Sequence, residues 1–274
     1  MITSGGAIAS MAVALPACVK RSCNKRVNMV LCEYITTRLR VNFLAKRGKQ
    51  PSGILTRQKM MNSAVTLFLE KGYHNTTTAS ISRKAGMTGS SFFRAFENKE
   101  AVLLALVEDM FDSQFEMARF DDPLMVYAVE TSIQMNIAEL NESLRDLYVT
   151  AYSLPATSEY IYRRTADKLK QLFNEYMPEA DDREFYEMEI ASAGITRGYM
   201  AKACSDDFTM EMKLSRYIRC CMRLYRVPED KIDQAIEKTL AMDLKPVAEK
   251  LVNAAISRYR DAFEKVISAR PANK

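Results

Sequence analysis

The chain has 274 residues, 48% apolar and 27% charged, with a formal net charge of +5, proportions typical of a globular protein that can bury a large core. Glycine and proline are scarce, at nine and eight copies, which favours helix nearly throughout. The six cysteines lack the dense, even spacing of a disulfide framework, so composition excludes a small disulfide-stapled protein and indicates a reducing cytoplasm.

The positive charge is concentrated at the front of the chain. Residues 1–50 hold nine Lys or Arg against one acidic residue, and residues 51–105 hold seven against three. Residues 106–274 reverse the balance, with 23 basic and 30 acidic residues. This asymmetry indicates a front half that meets a polyanion and a back half with another role.

The first fifty residues predict a basic extension. An apolar run from Ala7 to Val19 is too short to span a bilayer, and Lys20 and Arg21 follow it, the reverse of the charge order in a signal peptide. The remainder is basic and weakly periodic, so residues 1–50 are expected to form a disordered arm. An alternative is that natural translation begins near Leu44.

Helical periodicity becomes clear at Thr56. Apolar residues recur at helical spacing up to Leu69, and Gly72 is expected to end this first helix as a C-terminal cap. The polar stretch Asn75-Thr76-Thr77-Thr78 then supplies an N-cap for a second, short helix that ends before Gly86.

A third short helix is predicted to start at Gly89 with Thr88 as its N-cap, and Asn98 is predicted to cap a long fourth helix. Two short helices joined by a tight turn containing glycine form a helix-turn-helix, whose second helix enters the major groove of DNA. Phe92 and Phe96 share one face of that recognition helix and are expected to anchor it to the core.

The other face of the recognition helix is expected to be partly available. It carries Ser90, Ser91, Phe93 and Arg94, whose small members let a helix start approach phosphates and base edges. A helical hairpin whose caps are merely structural is the alternative. The helix lengths, the turn, the caps and the local positive charge together favour DNA binding.

Residues 56–107 resemble the TetR family of bacterial transcriptional regulators. The resemblance rests on an ordered set of stretches at the family's spacings: Phe68-Leu69-Glu70-Lys71-Gly72-Tyr73, Thr76-Thr77-Thr78 with Ile81, Ala85-Gly86-Met87-Thr88, Phe92-Phe93-Arg94-Ala95-Phe96 and Asn98-Lys99-Glu100. The rest of the chain resembles the family only in being long and helical.

The resemblance implies an all-α protein with a three-helix helix-turn-helix domain at residues 51–105 and a helical-bundle domain for ligand binding and dimerisation at residues 106–274. It implies a cytoplasmic homodimer, a repressor that binds a palindromic double-stranded operator and releases it when a small-molecule effector binds. By position, Thr77 and Lys99 would hold phosphates. The residues that would face the groove are Thr88, Gly89, Ser90, Ser91 and Arg94.

The recognition helix departs from the family at three positions. Phe93 stands where tyrosine is usual, Ala95 stands where histidine is usual, and glycine is common at the position of Ser90. Without the tyrosine hydroxyl, Phe93 is expected to pack against the sugar-phosphate backbone. The residues on which DNA binding is then expected to depend more strongly are Arg94, Lys99 and the arm Lys46-Arg47-Lys49.

The back half predicts an all-helical bundle. Helices are expected at residues 121–140, 141–154, 157–177, 181–204 and 209–227, followed by one or two closing helices from 229 to about 268. Tyr and Met recur there at apolar spacings; such stripes are more often plain core, but a pocket for apolar ligands has the same composition. The candidate pocket residues are Tyr148, Tyr152, Tyr162, Phe173 and Met188.

Gly194 and Gly198 put small residues on one helix face. They permit close helix approach, either inside the subunit or across a dimer interface, and the resemblance favours the interface.

We expect no catalytic site, no metal site and no cofactor. The sequence contains no phosphate loop, nucleophile elbow, metal cluster or paired-carboxylate pattern. Its single histidine, His74, is interpreted as a surface turn residue, and a phosphate contact is the alternative. An all-helical enzyme is therefore poorly supported. Two alternatives remain: a DNA-binding regulator controlled by a protein partner or cysteine oxidation, and a membrane-associated helical adaptor anchored by its basic arm. The leading interpretation implies no stable membrane association.

Overall fold

The computed structural model describes residues 51–114 and 120–268; the predicted N-terminal arm lies outside the described residues. Within these ranges the chain forms eleven α-helices, which confirms the all-α fold. In chain order they are α1 (Pro51–Lys71), α2 (Thr78–Lys84), α3 (Gly89–Ala95), α4 (Lys99–Gln114), α5 (Pro123–Leu140), α6 (Glu142–Ala151), α7 (Pro155–Phe173), α8 (Asp182–Ala201), α9 (Met210–Leu224), α10 (Glu229–Leu240) and α11 (Lys245–Ser268).

α7 begins at a proline that precedes its expected start, at Pro155 rather than at Thr157. α1 is already helical at Pro51, where the described residues begin, ahead of Thr56, the first residue of the predicted pattern. Proline suits the first turn of a helix because the N–H that it lacks has no partner there and its fixed φ is already helical. The predicted start of α7 is therefore wrong, whereas the order of the helices follows the prediction.

α1 ends at Gly72 as predicted. This residue has a φ of 79°, and its N–H donates to the carbonyl oxygen of Phe68 at 2.9 Å, closing the C-terminal cap. A Cβ at this position would lie 2.7 Å from Oδ2 of Asp146 in α6. Glycine is therefore required both by the backbone and by the close approach of α6.

Two apolar clusters fill the molecule. The front cluster is built from α1–α4 around the fully buried Phe92 and is completed by Leu147 of α6 and Tyr259 of α11. The back cluster is built mainly from α5–α10. At its centre the ring of Phe173 stacks on Tyr225, with centroids 4.3 Å apart.

α4 and α11 join the two clusters. α11 packs against both α1 and α5. From its middle, Nη2 of Arg258 and the hydroxyl of Tyr259 both donate to Oδ2 of Asp109 in α4, at 2.6 Å each. The domain boundary predicted at residue 105 falls inside α4, so this helix contributes to both halves.

Candidate nucleic-acid interface and ligand cavities

One face of α3 is fixed to the core. Phe92 is fully buried, and Phe96, just beyond the helix, is 3% exposed. Arg57 of α1 lies over the Phe96 ring at 3.9 Å, and its Nη1 donates to the carbonyl oxygen of Ala95 at 2.7 Å. The arginine thus donates a hydrogen bond to the last carbonyl oxygen of α3. The sequence analysis missed Arg57 because its partners lie 38 residues away.

The opposite face of α3 is exposed. Phe93 retains 62% of its accessible surface, and Thr88, Gly89, Ser90 and Arg94 are exposed. The side chains at the N-terminus of α3 are small. The apolar ring of Phe93 and the guanidinium of Arg94 can therefore approach a sugar-phosphate backbone and the base edges closely.

Ser91 is buried, so the prediction that it is available was wrong. It is 6% exposed. Its hydroxyl lies 3.0 Å from Oγ1 of Thr88 and accepts from Nη2 of Arg94 at 3.0 Å. The physical reason is that the hydroxyl folds back on the N-cap and the guanidinium covers it. Ser91 is therefore placed to orient Arg94.

The predicted phosphate contacts lie at the start of α2. Thr77 is its exposed N-cap and accepts from the N–H of Ser80 at 3.1 Å, which leaves the threonine O–H as a donor. Lys99 is partly buried, and its Nζ donates to the carbonyl oxygens of Tyr73 and Thr76, both at 2.8 Å. Burial lowers the pKa of Lys99. Its ammonium therefore holds the turn before α2 in addition to placing a charge beside Thr77.

The same turn is bonded to α6. Asp146 accepts from the backbone N–H of His74 at 3.2 Å, and its Oδ1 lies 2.5 Å from the ring Nδ1. His74 is exposed, as expected of a surface turn residue. A second link joins α4 to the start of α7, where Oε1 of Glu100 accepts from the N–H of Ala156 at 3.2 Å. These bonds connect the helix-turn-helix to the back half.

Three adjoining cavities lie behind these links. The central cavity, about 70 Å³, lies among α4–α9. The bridging cavity, about 40 Å³, lies among α4–α7, and the proximal cavity, about 100 Å³, lies among α1, α4, α5, α6 and α11. Tyr152 borders the central and bridging cavities, and Tyr148 borders the bridging and proximal cavities.

The candidate pocket residues are thus divided between two environments. Tyr148 and Tyr152 line cavities, whereas Phe173 lies in the back core against Tyr225. The Tyr162 ring meets the Tyr186 ring edge-on at 6.5 Å, and Met188 packs partly buried against the same core. Their roles in ligand binding stay predictions.

The central cavity also contains a carboxylate that the sequence analysis missed. Glu189 of α8 is 4% exposed and accepts a hydrogen bond from the hydroxyl of Ser192. That hydroxyl accepts in turn from the Tyr225 hydroxyl at 3.0 Å. Burial raises the pKa of Glu189 to about 8.

α8 presents a face of small residues to its surroundings. Gly194 and Gly198 are exposed, and nothing lies within 4 Å of a Cβ built at either position. Ile190 on the same face retains 43% of its accessible surface. No described part of the subunit therefore uses the close approach that these glycines permit.

No helix within residues 51–114 and 120–268 is both long enough and apolar enough to cross a bilayer. In the same part of the chain, no three or more His, Cys, Asp or Glu side chains are grouped so as to hold a metal ion.

Sequence comparison relates the front of the chain to regulatory proteins. A family profile described as bacterial regulatory proteins, tetR family, matches residues 61–106. The negative transcriptional regulator IcaR of the biofilm operon icaADBC in Staphylococcus epidermidis is 30% identical over 101 residues, or 36% of this chain and 55% of that protein. YerO of Bacillus subtilis, an uncharacterized HTH-type transcriptional regulator, is 25% identical over 157 residues, or 53% and 54% of the two chains. The chain spans about half the length of these relatives.

Comparison of folds extends the likeness beyond the helix-turn-helix. The crystal structure of RolR in complex with the ligand resorcinol matches with a TM-score of 0.50 at 18% identity, covering 65% of this chain and 96% of that one. At this identity the likeness shows the fold alone: a helix-turn-helix followed by a helical bundle.

Proposed function

This chain belongs to the TetR family of bacterial regulatory proteins, and from that premise we propose that it is a transcriptional repressor that binds DNA through α2 and α3. In this proposal a cytoplasmic homodimer binds a palindromic operator, one helix-turn-helix in each half-site. A small-molecule effector that enters the cavities of the back half releases the operator.

The observation that carries the proposal is the two-sided character of α3. Phe92 and Arg57 hold its inner face to the core, so the helix is presented rigidly. Its outer face offers Phe93 and Arg94, both exposed. Arg94 supplies the charged fork that reads guanine or clamps a phosphate. Phosphate contacts from the Thr77 hydroxyl and Lys99 ammonium at α2 would set the register.

Release is proposed to act through α6. Tyr148 in this helix and Tyr152 at its end border the cavities, while Asp146 of the same helix bonds to the turn before α2. A ligand that displaces either tyrosine ring moves α6 and, through Asp146, the start of α2. Effector binding and the position of the DNA-contacting helices are thereby coupled.

Control by cysteine oxidation is disfavoured at two of the three described cysteines, the third being the exposed Cys220. Cys221 is buried, and burial raises the pKa of its thiol to about 12. Burial also raises the pKa of Cys204. Because the thiolate is the reactive form, both thiols are poorly suited to rapid oxidation.

The dimer is proposed to form through the exposed small-residue face of α8. Gly194 and Gly198 let a second helix approach closely, and Ile190 adds apolar area beside them. A two-fold dimer matches the two-fold symmetry of a palindromic site.

DNA binding is tested by fluorescence anisotropy with duplexes from the region upstream of the protein's own gene, competed with unrelated duplex. We expect one palindromic site to be preferred. Arg94→Ala should weaken its binding about tenfold or more and reduce the dependence of log affinity on log salt concentration by about one unit.

The matched control for this measurement is Arg163→Ala, which removes an exposed arginine from α7 and should leave operator affinity and salt dependence unchanged. The proposal fails if no palindromic site is preferred over unrelated DNA. It also fails if the Arg94 and Arg163 variants behave alike.

A further inference from the structure

The central cavity is lined by a carboxyl group that the protein holds in place without a basic partner among the described residues. One oxygen of Glu189 accepts from the Ser192 hydroxyl, and the carboxylate borders the cavity. Among residues 51–114 and 120–268, no basic side chain forms an ion pair with it. An unpaired carboxylate is costly to bury, so a cation that binds beside Glu189 would stabilise the charged form of its side chain.

The surroundings of this carboxylate suit a positive charge. The Tyr127, Tyr152 and Tyr217 rings line the same cavity. The Tyr217 hydroxyl is 3.1 Å from Oγ1 of Thr196, and the Tyr152 hydroxyl donates to Gln134 at 3.3 Å. These bonds fix the rings. Aromatic rings grouped around a negative site are the environment in which proteins bind substituted ammonium groups.

Glu189 is the one acidic residue in the lining that has no ion pair among the described residues. The other acidic residue in its lining, Glu130, forms an ion pair with Lys168. The remaining wall is largely apolar and includes Ile133 and Leu169. The chemistry of the wall therefore fits one positive charge attached to an apolar body.

Building on the proposed function, we propose that the effector is a lipophilic monocation, an amine or quaternary ammonium with an apolar or aromatic body, whose charge binds the Glu189 carboxylate in the central cavity. Tyr152 lies between this cavity and the bridging cavity. A cation that fills the central cavity therefore presses on the end of α6, the helix that holds the turn before α2.

Several other ionisable groups face Glu189, and a pH dependence of binding could arise from any of them. They are Tyr127 and the Glu130–Lys168 pair from α5 and α7, Tyr152 after α6, and Tyr217, Cys221 and Tyr225 from α9 and its end. Burial raises the pKa of these tyrosines and of Cys221, so they stay neutral below about pH 9.

Glu189 itself responds in the neutral range. Because burial raises its pKa to about 8, the acid form predominates at neutral pH and a cation must displace its proton. Cation affinity should therefore rise about tenfold for each pH unit below the pKa of Glu189 and level off above it.

The experiment is calorimetry on the full chain without DNA, from about pH 6 to about pH 9. The probes are phenyltrimethylammonium, whose charge does not titrate, and tert-butylbenzene, its neutral isostere. We expect the ammonium to bind about tenfold or more tightly than the isostere at the high end, with affinity rising with pH. The isostere should show no such rise.

Glu189→Gln should abolish both the preference for the ammonium and its pH dependence, while Glu179→Gln, at an exposed position before α8, behaves as the parent. The proposal is overturned if the ammonium binds the parent no more tightly than the isostere at high pH, or if Glu189→Gln keeps the preference. If Glu189→Gln does not fold, as judged by circular dichroism, the comparison of probes on the parent decides alone.

A second measurement separates this inference from the proposed function. Phenyltrimethylammonium should release the operator from the parent and not from Glu189→Gln, and release that is equal in the two proteins overturns the effector assignment. Absence of operator binding before any probe is added refutes the proposed function, whereas the calorimetry still decides whether the cavity takes a cation.

Discussion

At Gly72 the backbone and the tertiary packing require the same residue. Its left-handed φ follows from the end of α1, which the sequence pattern predicts. The approach of Asp146 to the same backbone comes from a helix more than seventy residues later. One glycine thus lets the turn before α2 lie directly against α6.

Gly72→Ala is expected to lower the free energy of unfolding more than Gly86→Ala. Both glycines have positive φ, 79° and 64°, so each alanine should cost about 1 kcal/mol or more in backbone strain. At Gly86 nothing lies within 4 Å of a new Cβ. At Gly72 the Asp146 carboxylate must withdraw from His74, adding about 1 kcal/mol.

Urea denaturation measures the two losses. In an Asp146→Ala background the excess loss at Gly72 should disappear. If Gly72→Ala and Gly86→Ala lower the free energy of unfolding equally in the parent background, the Asp146 carboxylate moves aside without cost and does not hold the turn.

Single residues also show where sequence reasoning succeeded and where it stopped. The cap Thr88, and a cap of α2 within Asn75-Thr76-Thr77-Thr78, were predicted because capping is local, within three residues of the chain. Glu189 was missed although it lies in register with the buried Phe185 and Thr196 along α8. A charged residue on an apolar stripe is a signal that can be read from sequence, but only the packed helices show that it borders a cavity.

Among the elements, α3 places adjacent phenylalanines in opposite environments. Phe92 is fully buried and Phe93 retains 62% of its accessible surface, as the helical period predicts for the anchor and for its neighbour. The same reasoning did not predict that Ser91 folds back on its cap, because a helical wheel shows direction and not hydrogen bonding. Nor did it predict the start of α7, since the pattern of apolar residues gave no sign that Pro155 opens the helix.

Alanine substitutions should separate the two phenylalanines. Phe92→Ala is expected to lower the free energy of unfolding by about 3–5 kcal/mol, because it empties a buried site. Phe93→Ala should change it by about 0.5 kcal/mol at most yet weaken operator binding. Chemical denaturation and anisotropy measure the two effects. A large loss of stability at Phe93, or unchanged DNA affinity there, would contradict this division of roles.

At the scale of the whole molecule, the links between the two halves were beyond sequence reasoning. Asp109 and Arg258 are 149 residues apart, and nothing local marks them as partners. The composition and the charge asymmetry did predict a helical protein with a basic front, because those properties sum over many residues. Contacts between particular distant residues depend on how the helices pack.

Gly194→Leu tests the proposed dimer. Since no described residue lies within 4 Å of a Cβ at this position, the variant should keep its helical circular dichroism. It should sediment as a monomer and bind the operator more weakly, because a bulky side chain separates the two copies of α8. Glu237→Leu, exposed on α10, is the control and should remain dimeric. A dimeric Gly194 variant would place the interface elsewhere.

Tyr148 and Tyr152 have a consequence for the length of molecule that the cavities can hold. Each ring borders two of the three neighbouring cavities, which extend from the centre of the back half to α1. Shortening both side chains should therefore enlarge the shared space and admit longer molecules. Under the proposed function, these two rings would help to set the range of effectors, which could be redesigned while the exposed face of α3 is left intact.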